Sequence, residues 1–281
     1  MKKVVSLVLA LIMCICIFAS CTKEELQFGK EYRELSGQMD VLLQLNSGSI
    51  DVGVMDSIMA GYYMSKDTTY ANSLMIVEDL ELSTEQYGIA ARKGSGLIKK
   101  INAALIELAN EGVVDTLAEK YGIKSELCID KNAQVKELTE AEKADWEYIS
   151  SRNEFIVGYT LFAPIAYEEN GELIGFDIEL ARAVAEKLGL NVKFQEIEWN
   201  AKEALLNAKS IDCIWNGMTI TEERLANMEI SMPYLNNKQV AVIRKEDKEK
   251  YTTKESMSKA IIGAEAGSAG EACVIIEKEE K

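Results

Sequence analysis

Residues Gly217 to Arg224 read Gly-Met-Thr-Ile-Thr-Glu-Glu-Arg and follow the apolar stretch Ile211-Asp212-Cys213-Ile214-Trp215. The pattern predicts a buried strand, a glycine turn and a helix start at Thr221 with acidic residues in its first turn. Such a junction aims free backbone N–H groups at one point, where the helix dipole favours an anion. Arg224 sits one turn into that helix, where its planar fork could grip a carboxylate through two parallel bonds, and Thr219 adds a hydroxyl. Together these residues make a seat for a small carboxylate. The same spacing also fits an ordinary strand–turn–helix with a solvated Arg.

Other chemistries have weaker support. Gly267-Ser268-Ala269-Gly270 has the outline of a serine nucleophile turn or a phosphate loop. The chain contains no histidine to act as base, and no Lys-Ser/Thr follows the turn, so both enzyme readings are poor. The lack of histidine also excludes imidazole metal sites, Ser–His–Asp triads and Cys–His pairs. Neither a metal nor a cofactor is expected.

The first residues are set apart from the fold. Met1-Lys2-Lys3 is a short basic start, followed by an apolar run from Val4 to Ala19, as in a secretory signal. Phe18-Ala19-Ser20-Cys21 resembles a bacterial lipobox, with residues 1–20 removed and Cys21 acylated, although Phe18 departs from the usual Leu. An uncleaved membrane anchor is the alternative. Loss of Lys2 and Lys3 from 31 basic residues leaves 29 against 46 acidic ones, a mature charge of −17. Nucleic acid and anionic lipid are therefore poor partners for the body of the protein. Cys14 and Cys16 leave with the signal, so Cys128, Cys213 and Cys273 remain, without CxxC spacing. Cys213 reads as a buried strand thiol, and a Cys128–Cys273 bridge is open to an exported protein.

Short apolar strands then alternate with amphipathic helices, the rhythm of an α/β fold. Helices are expected at Ser36 to Asn46, Ile58 to Met64, Leu97 to Asn110, Gly112 to Tyr121, Glu140 to Ser151, Phe176 to Leu188 (capped by Asp177) and Glu271 to Glu277. Strands are expected at Asp51 to Met55, Tyr87 to Ala91, Phe155 to Tyr159, Val192 to Glu198, Gln239 to Arg244 and Ala260 to Ala264. Asp56 falls at the carboxyl end of the first of these strands. Lys124 to Asn153 is polar and acidic, and reads as a connector. The two halves are not repeats of one another. They look complementary.

Residues 155–281 resemble the first half of the extracellular amino-acid-binding proteins of ABC importers. The resemblance is carried by Gly158-Tyr159-Thr160-Leu161-Phe162-Ala163-Pro164, by Gly171 to Ala181, by Gly217 to Arg224, by Pro233-Tyr234 and by Gly263 to Glu271. Residues 31–123 are similar to the second half of that family, through Leu45 to Asp56, Ser83 to Ala90, Arg92-Lys93-Gly94 and Gly112 to Gly122. The family order is reversed in blocks. The resemblance therefore implies a periplasmic-binding-protein-like type II fold in circularly permuted order, with two lobes joined by a two-strand hinge. One lobe comprises residues 24–84 and 245–281 and the other residues 85–123 and 154–244, with 124–153 as connector. Permutation is tolerated where exposed ends can be bridged. A fusion of gene fragments and a domain-swapped dimer are the other ways to read that order.

The resemblance also assigns roles. Arg224 would pair with the α-carboxylate of an amino acid, helped by Thr219 and by backbone N–H groups near Gly217 and from Ala269, a position where the family often has Thr. Asp56 would accept the α-ammonium. Phe162 would offer an aromatic face, and Trp199 or Trp215 would wall the pocket. The hinge would be Glu85–Ala90 and Lys238–Arg244, closing the lobes for recognition by a membrane permease, with a separate ATPase subunit as further partner and Cys21 as lipid tether. The same fold hosts extracytoplasmic dehydratases, and ligand sensors for signalling partners form a third class. An ammonium acceptor at Asp56 favours binding over dehydration.

Overall fold

The computed structural model describes residues 23–65 and 69–278. The signal and lipobox readings lie outside the described residues. In chain order the elements are β1 (Lys23–Leu26), β2 (Glu31–Leu35), α1 (Gln38–Asn46), β3 (Val52–Asp56), α2 (Ser57–Ser65), α3 (Thr69–Ser73), β4 (Leu74–Arg92), α4 (Leu97–Asn110) and α5 (Val113–Tyr121). There follow α6 (Glu140–Ser151), β5 (Glu154–Tyr159), β6 (Tyr167–Glu169), β7 (Glu172–Ile174), α7 (Phe176–Leu188), β8 (Asn191–Glu196) and α8 (Lys202–Asn207). The last group is β9 (Cys213–Thr219), α9 (Glu222–Asn227), β10 (Met228–Ile230), β11 (Leu235–Arg244), β12 (Ile261–Glu265), α10 (Ala269–Ala272) and β13 (Ile275–Lys278).

The main sheet has nine strands in the order β2-β12-β3-β11-β4-β9-β5-β8, with β10 paired to β4. Its two flanks are parallel: β12 with β2 and β3 on one side, β5 with β8 and β9 on the other. Between them β11 and β4 run antiparallel to each other and to their outer neighbours. β4 is 19 residues long, and its first part pairs with β11 while its last part pairs with β9 and β10. The expected hinge strands Glu85–Ala90 and Lys238–Arg244 are thus segments of β4 and β11, the two strands that join the flanks.

Burial explains the local choices. β3 and β9 are buried along their whole length, as strands covered on both faces must be. α4 buries Leu97, Ile98, Ile101, Ala104, Leu105 and Leu108, a single apolar stripe at helical spacing. Gly53 lets α1 sit directly on β3, since a Cβ there would meet Val41 at 2.6 Å. The connector is an ordered part of the same body. Thr139 and Glu142 form a capping box at the start of α6, and Glu142 pairs with Lys99 at 2.7 Å.

Three local expectations need correction. Asp177 does not cap α7, whose N-cap is Gly175; it lies inside the first turn, wholly buried. Glu271 to Glu277 is not one helix. The single turn α10 gives way to β13, which pairs antiparallel with β1, because Val274 and Ile275 join an apolar cluster containing Leu26 and Phe28. The strand after α7 runs Asn191–Glu196 and stops short of Ile197 and Glu198. Cys128, Cys213 and Cys273 are all free thiols, with Cys213 buried, so the Cys128–Cys273 bridge is absent. Among the described residues no helix is long and apolar enough to cross a membrane, and no cluster of His, Cys, Asp and Glu could hold a metal ion.

Candidate functional site

The carboxyl end of β3, the turn after β5, the junction from β9 to α9 and the turn after β12 converge on one cavity. Asp56, Phe162, Trp199, Gly217, Thr219, Arg224 and Ala269 all line it. Seven of the eight residues singled out from sequence are therefore neighbours in space. Trp215 is the exception. It is fully buried in the core and does not line the cavity.

Arg224 is 9% exposed. Thr221 caps α9 as expected, its hydroxyl accepting the Arg224 backbone N–H at 3.2 Å. The guanidinium donates from Nη1 to the Thr219 carbonyl at 2.8 Å and from Nη2 to the Gly267 carbonyl at 3.1 Å. Those bonds join the β9 junction to the turn after β12, on opposite flanks of the sheet. Among the described residues no carboxylate lies within 4.0 Å of this guanidinium. A buried cation without a counter-charge is costly to keep.

Asp56 is the mirror case. It is 5% exposed and has no cationic partner within the same distance among the described residues. Neutral groups surround it: Gln38 Nε2, the Tyr87 hydroxyl, Asn237 Nδ2 and Gln239 Nε2 all donate to its carboxyl oxygens. Its backbone N–H donates to Gln38 Oε1 at 3.1 Å. Burial, then the nearby Glu85 carboxyl, pushes its pKa well above the usual carboxylate range. Asn237 and Gln239 bridge the two carboxyls, each also donating to Glu85.

The walls are polar and aromatic. Phe162 is 3% exposed and meets Tyr87 edge-on, ring centroids 6.4 Å apart. Gly217 has φ +61°, and a Cβ there would lie 2.6 Å from Phe162 Cε1, so the backbone packs directly on the ring. The Gly217 N–H donates to Asp177 Oδ2 at 3.0 Å, and Asp177 also accepts from the Tyr234 hydroxyl at 2.7 Å. This N–H is therefore engaged by the protein itself, contrary to the expectation that it faces a ligand. Burial pushes Asp177 up to about 7. Trp199 carries Lys202 Nζ 4.8 Å from its ring centroid. Burial, then Arg224, pushes Lys202 down to about 8.

Sequence reasoning missed several lining or supporting groups: Gln38, Tyr87, Thr160, Asn216, Asn237, Gln239 and Glu265. The Asn216 and Thr160 side chains hydrogen-bond at 2.7 Å. A signal for two others was present. Leu235, Asn237 and Gln239 alternate along β11, so two amides share one face with a leucine, and all three are buried.

Comparison with known proteins gives a consistent picture. Residues 155–271 match the bacterial extracellular solute-binding proteins, family 3. A probable amino-acid ABC transporter-binding protein of Haemophilus influenzae is 42% identical over 87 residues, covering 31% of this chain and 34% of that protein. The arginine-binding extracellular protein ArtP of Bacillus subtilis is 32% identical over 98 residues, covering 34% and 38%. The chain thus spans little more than a third of these curated relatives. Among solved structures, an ABC uptake transporter substrate-binding protein of Streptococcus pneumoniae with bound histidine is 40% identical, with a TM-score of 0.29, covering 30% of this chain and 35% of that one.

Proposed function

We propose that this chain, whose residues 155–271 match the bacterial extracellular solute-binding proteins, family 3, is an extracytoplasmic receptor that captures an amino acid for an ABC-type permease and its ATPase. One observation carries the reading. Arg224 and Asp56 are buried, line one cavity and lack charged partners among the described residues. An α-amino acid brings the missing anion and the missing cation as two substituents of one carbon. Arg224 would take the α-carboxylate with the Thr219 hydroxyl, and Asp56 the α-ammonium. Phe162 and Trp199 would close the walls, and Ala269 would offer its backbone N–H. Relatives named for amino-acid binding support this class of ligand.

The scaffold fits a two-lobed, type II binding-protein architecture in permuted order. Residues 24–84 with 245–281 would form one lobe, 85–123 with 154–244 the other, and 124–153 the connector. Two features support the permuted order. β2 and β3, from early in the chain, flank β12, from late in it. β1 and β13 pair with each other, which brings the described ends together. Rotation about β4 and β11 would open and close the cavity. Cys21 would carry a lipid that holds the receptor at the cell membrane. The neutral donors around Asp56 suit a carboxyl that receives an ammonium group, which favours binding as the activity.

A thermal-shift screen of the twenty amino acids and cystine tests the reading. At least one should raise the melting temperature in a concentration-dependent way. No shift with any of them would sink it.

A further inference from the structure

The cavity lining carries three ionisable side chains: Asp56, Glu265 and Arg224. The α-groups of an amino acid account for one anion and one cation. Glu265 is left over. It ends β12, is 5% exposed and faces the same cavity. No Lys or Arg nitrogen lies within 4.0 Å of its carboxyl among the described residues, and its neutral partner is the Gln38 amide. That amide also donates to Asp56, so its two N–H groups are shared between the two carboxyls and neither receives a positive charge from it. Lys202, the cation with the larger influence on Glu265, has its Nζ turned to the Trp199 and Gly267 carbonyls, 3.2 Å from each, and lies outside the cavity lining.

We propose that Glu265 is a specificity-determining residue and that the site selects an amino acid whose side chain ends in a cation, an amine or a guanidinium. The inference rests on the amino-acid-binding reading above. With Arg224 and Asp56 occupied by the α-groups, a second positive charge would complete the balance of a lining that holds two acids and one base. Phe162, also in that lining, supplies a face against which a cationic side chain can lie. A buried carboxyl left without a cation is penalised, and burial holds Glu265 up to about 8, with Glu198 adding to the rise and Lys202, Gln38 and Arg224 opposing it. A neutral ligand would leave that penalty in place, whereas a cation would remove it.

Calorimetric titration of the purified, ligand-stripped protein with L-arginine, L-lysine, L-citrulline and L-glutamine tests this. Arginine or lysine should bind at least about tenfold tighter than both neutral amino acids, the scale of one charge-assisted contact. Glu265→Gln should weaken the preferred cationic ligand by about tenfold and change citrulline and glutamine by less than about threefold. The wild-type comparison stands by itself should the variant fold poorly. Equal affinity for neutral and cationic amino acids, or an unchanged preference in Glu265→Gln, overturns the selectivity while leaving the amino-acid reading intact. Failure of every amino acid to bind overturns both.

Discussion

Arg224 and Asp56 line one cavity without pairing, either with each other or with another charge among the described residues. Each is held by neutral partners instead, Arg224 by two backbone carbonyls and Asp56 by amides and a phenol. On the proposed reading, the two groups stay apart until a zwitterion supplies each with its counter-charge. Replacing Arg224 with Ala should abolish amino-acid binding, a loss of about a hundredfold or more in affinity for a buried charged pair. Circular dichroism should show the fold intact. Retained affinity in calorimetry would contradict the role.

Asp56→Asn keeps the size of the side chain and removes its charge. The four donors around Asp56 would then face an amide that can accept from fewer of them. Affinity for an α-amino acid should fall by about tenfold or more, whereas the matching acid without the ammonium group should change by less than about threefold. An equal loss for both ligands would show that Asp56 supports the pocket without contacting the ammonium.

Gly217→Ala tests how tightly the pocket floor is packed. The new Cβ would fall 2.6 Å from Phe162 Cε1 and 3.0 Å from Tyr87 Cε2, at a residue with φ +61°. Steric overlap and backbone strain should together lower stability by about 1–3 kcal/mol. Because Phe162 must move, binding should weaken as well. Denaturant unfolding with and without ligand separates the two effects, and a variant with unchanged midpoint would show that the ring has room.

Stability of the ligand-free protein should fall as pH rises from 5 to 7. Glu265 is pushed up to about 8 and Asp177 up to about 7, each chiefly by burial. A carboxyl that holds its proton more tightly when folded gives stability that is full below its unfolded pKa, about 4, and is lost through its folded value. Lys202, pushed down to about 8, acts in the opposite sense, but its change lies above this window. Calorimetric melting points should therefore decline from pH 5 to pH 7, and Glu265→Gln should reduce the slope. A rising melting point over that interval would contradict the burial argument.

Pairing of β4 with β11 and of β2 and β3 with β12 is complete within one chain. Light scattering should accordingly give the mass of a monomer that binds ligand. A ligand-binding dimer that cannot be diluted into monomers would point to exchange of strands between two chains.

The βα rhythm was legible because β3 is a short apolar run and α4 and α7 have clean helical periodicity, and linked motifs brought Arg224, Asp56, Thr219 and Phe162 to one site. What escaped was set by long-range packing. β13 looked helical in its local pattern, and only its pairing with β1 makes it a strand. Asp177 looked like a cap because acidic residues favour helix starts, yet its carboxyl is taken by Gly217 and Tyr234 from other elements. Trp215 was placed near the site by its neighbours in sequence, yet it is fully buried in the core. Glu265 and the β11 amides gave too little local signal, since a polar residue near a strand end is ordinarily solvated.

The position of β11 carries a consequence for biosynthesis. It fills the slot between β3 and β4, and its Asn237 reaches Asp56 across 181 residues of sequence. A ribosome must therefore finish most of the polypeptide before the slot can be filled, and until then both neighbouring strands present bare edges.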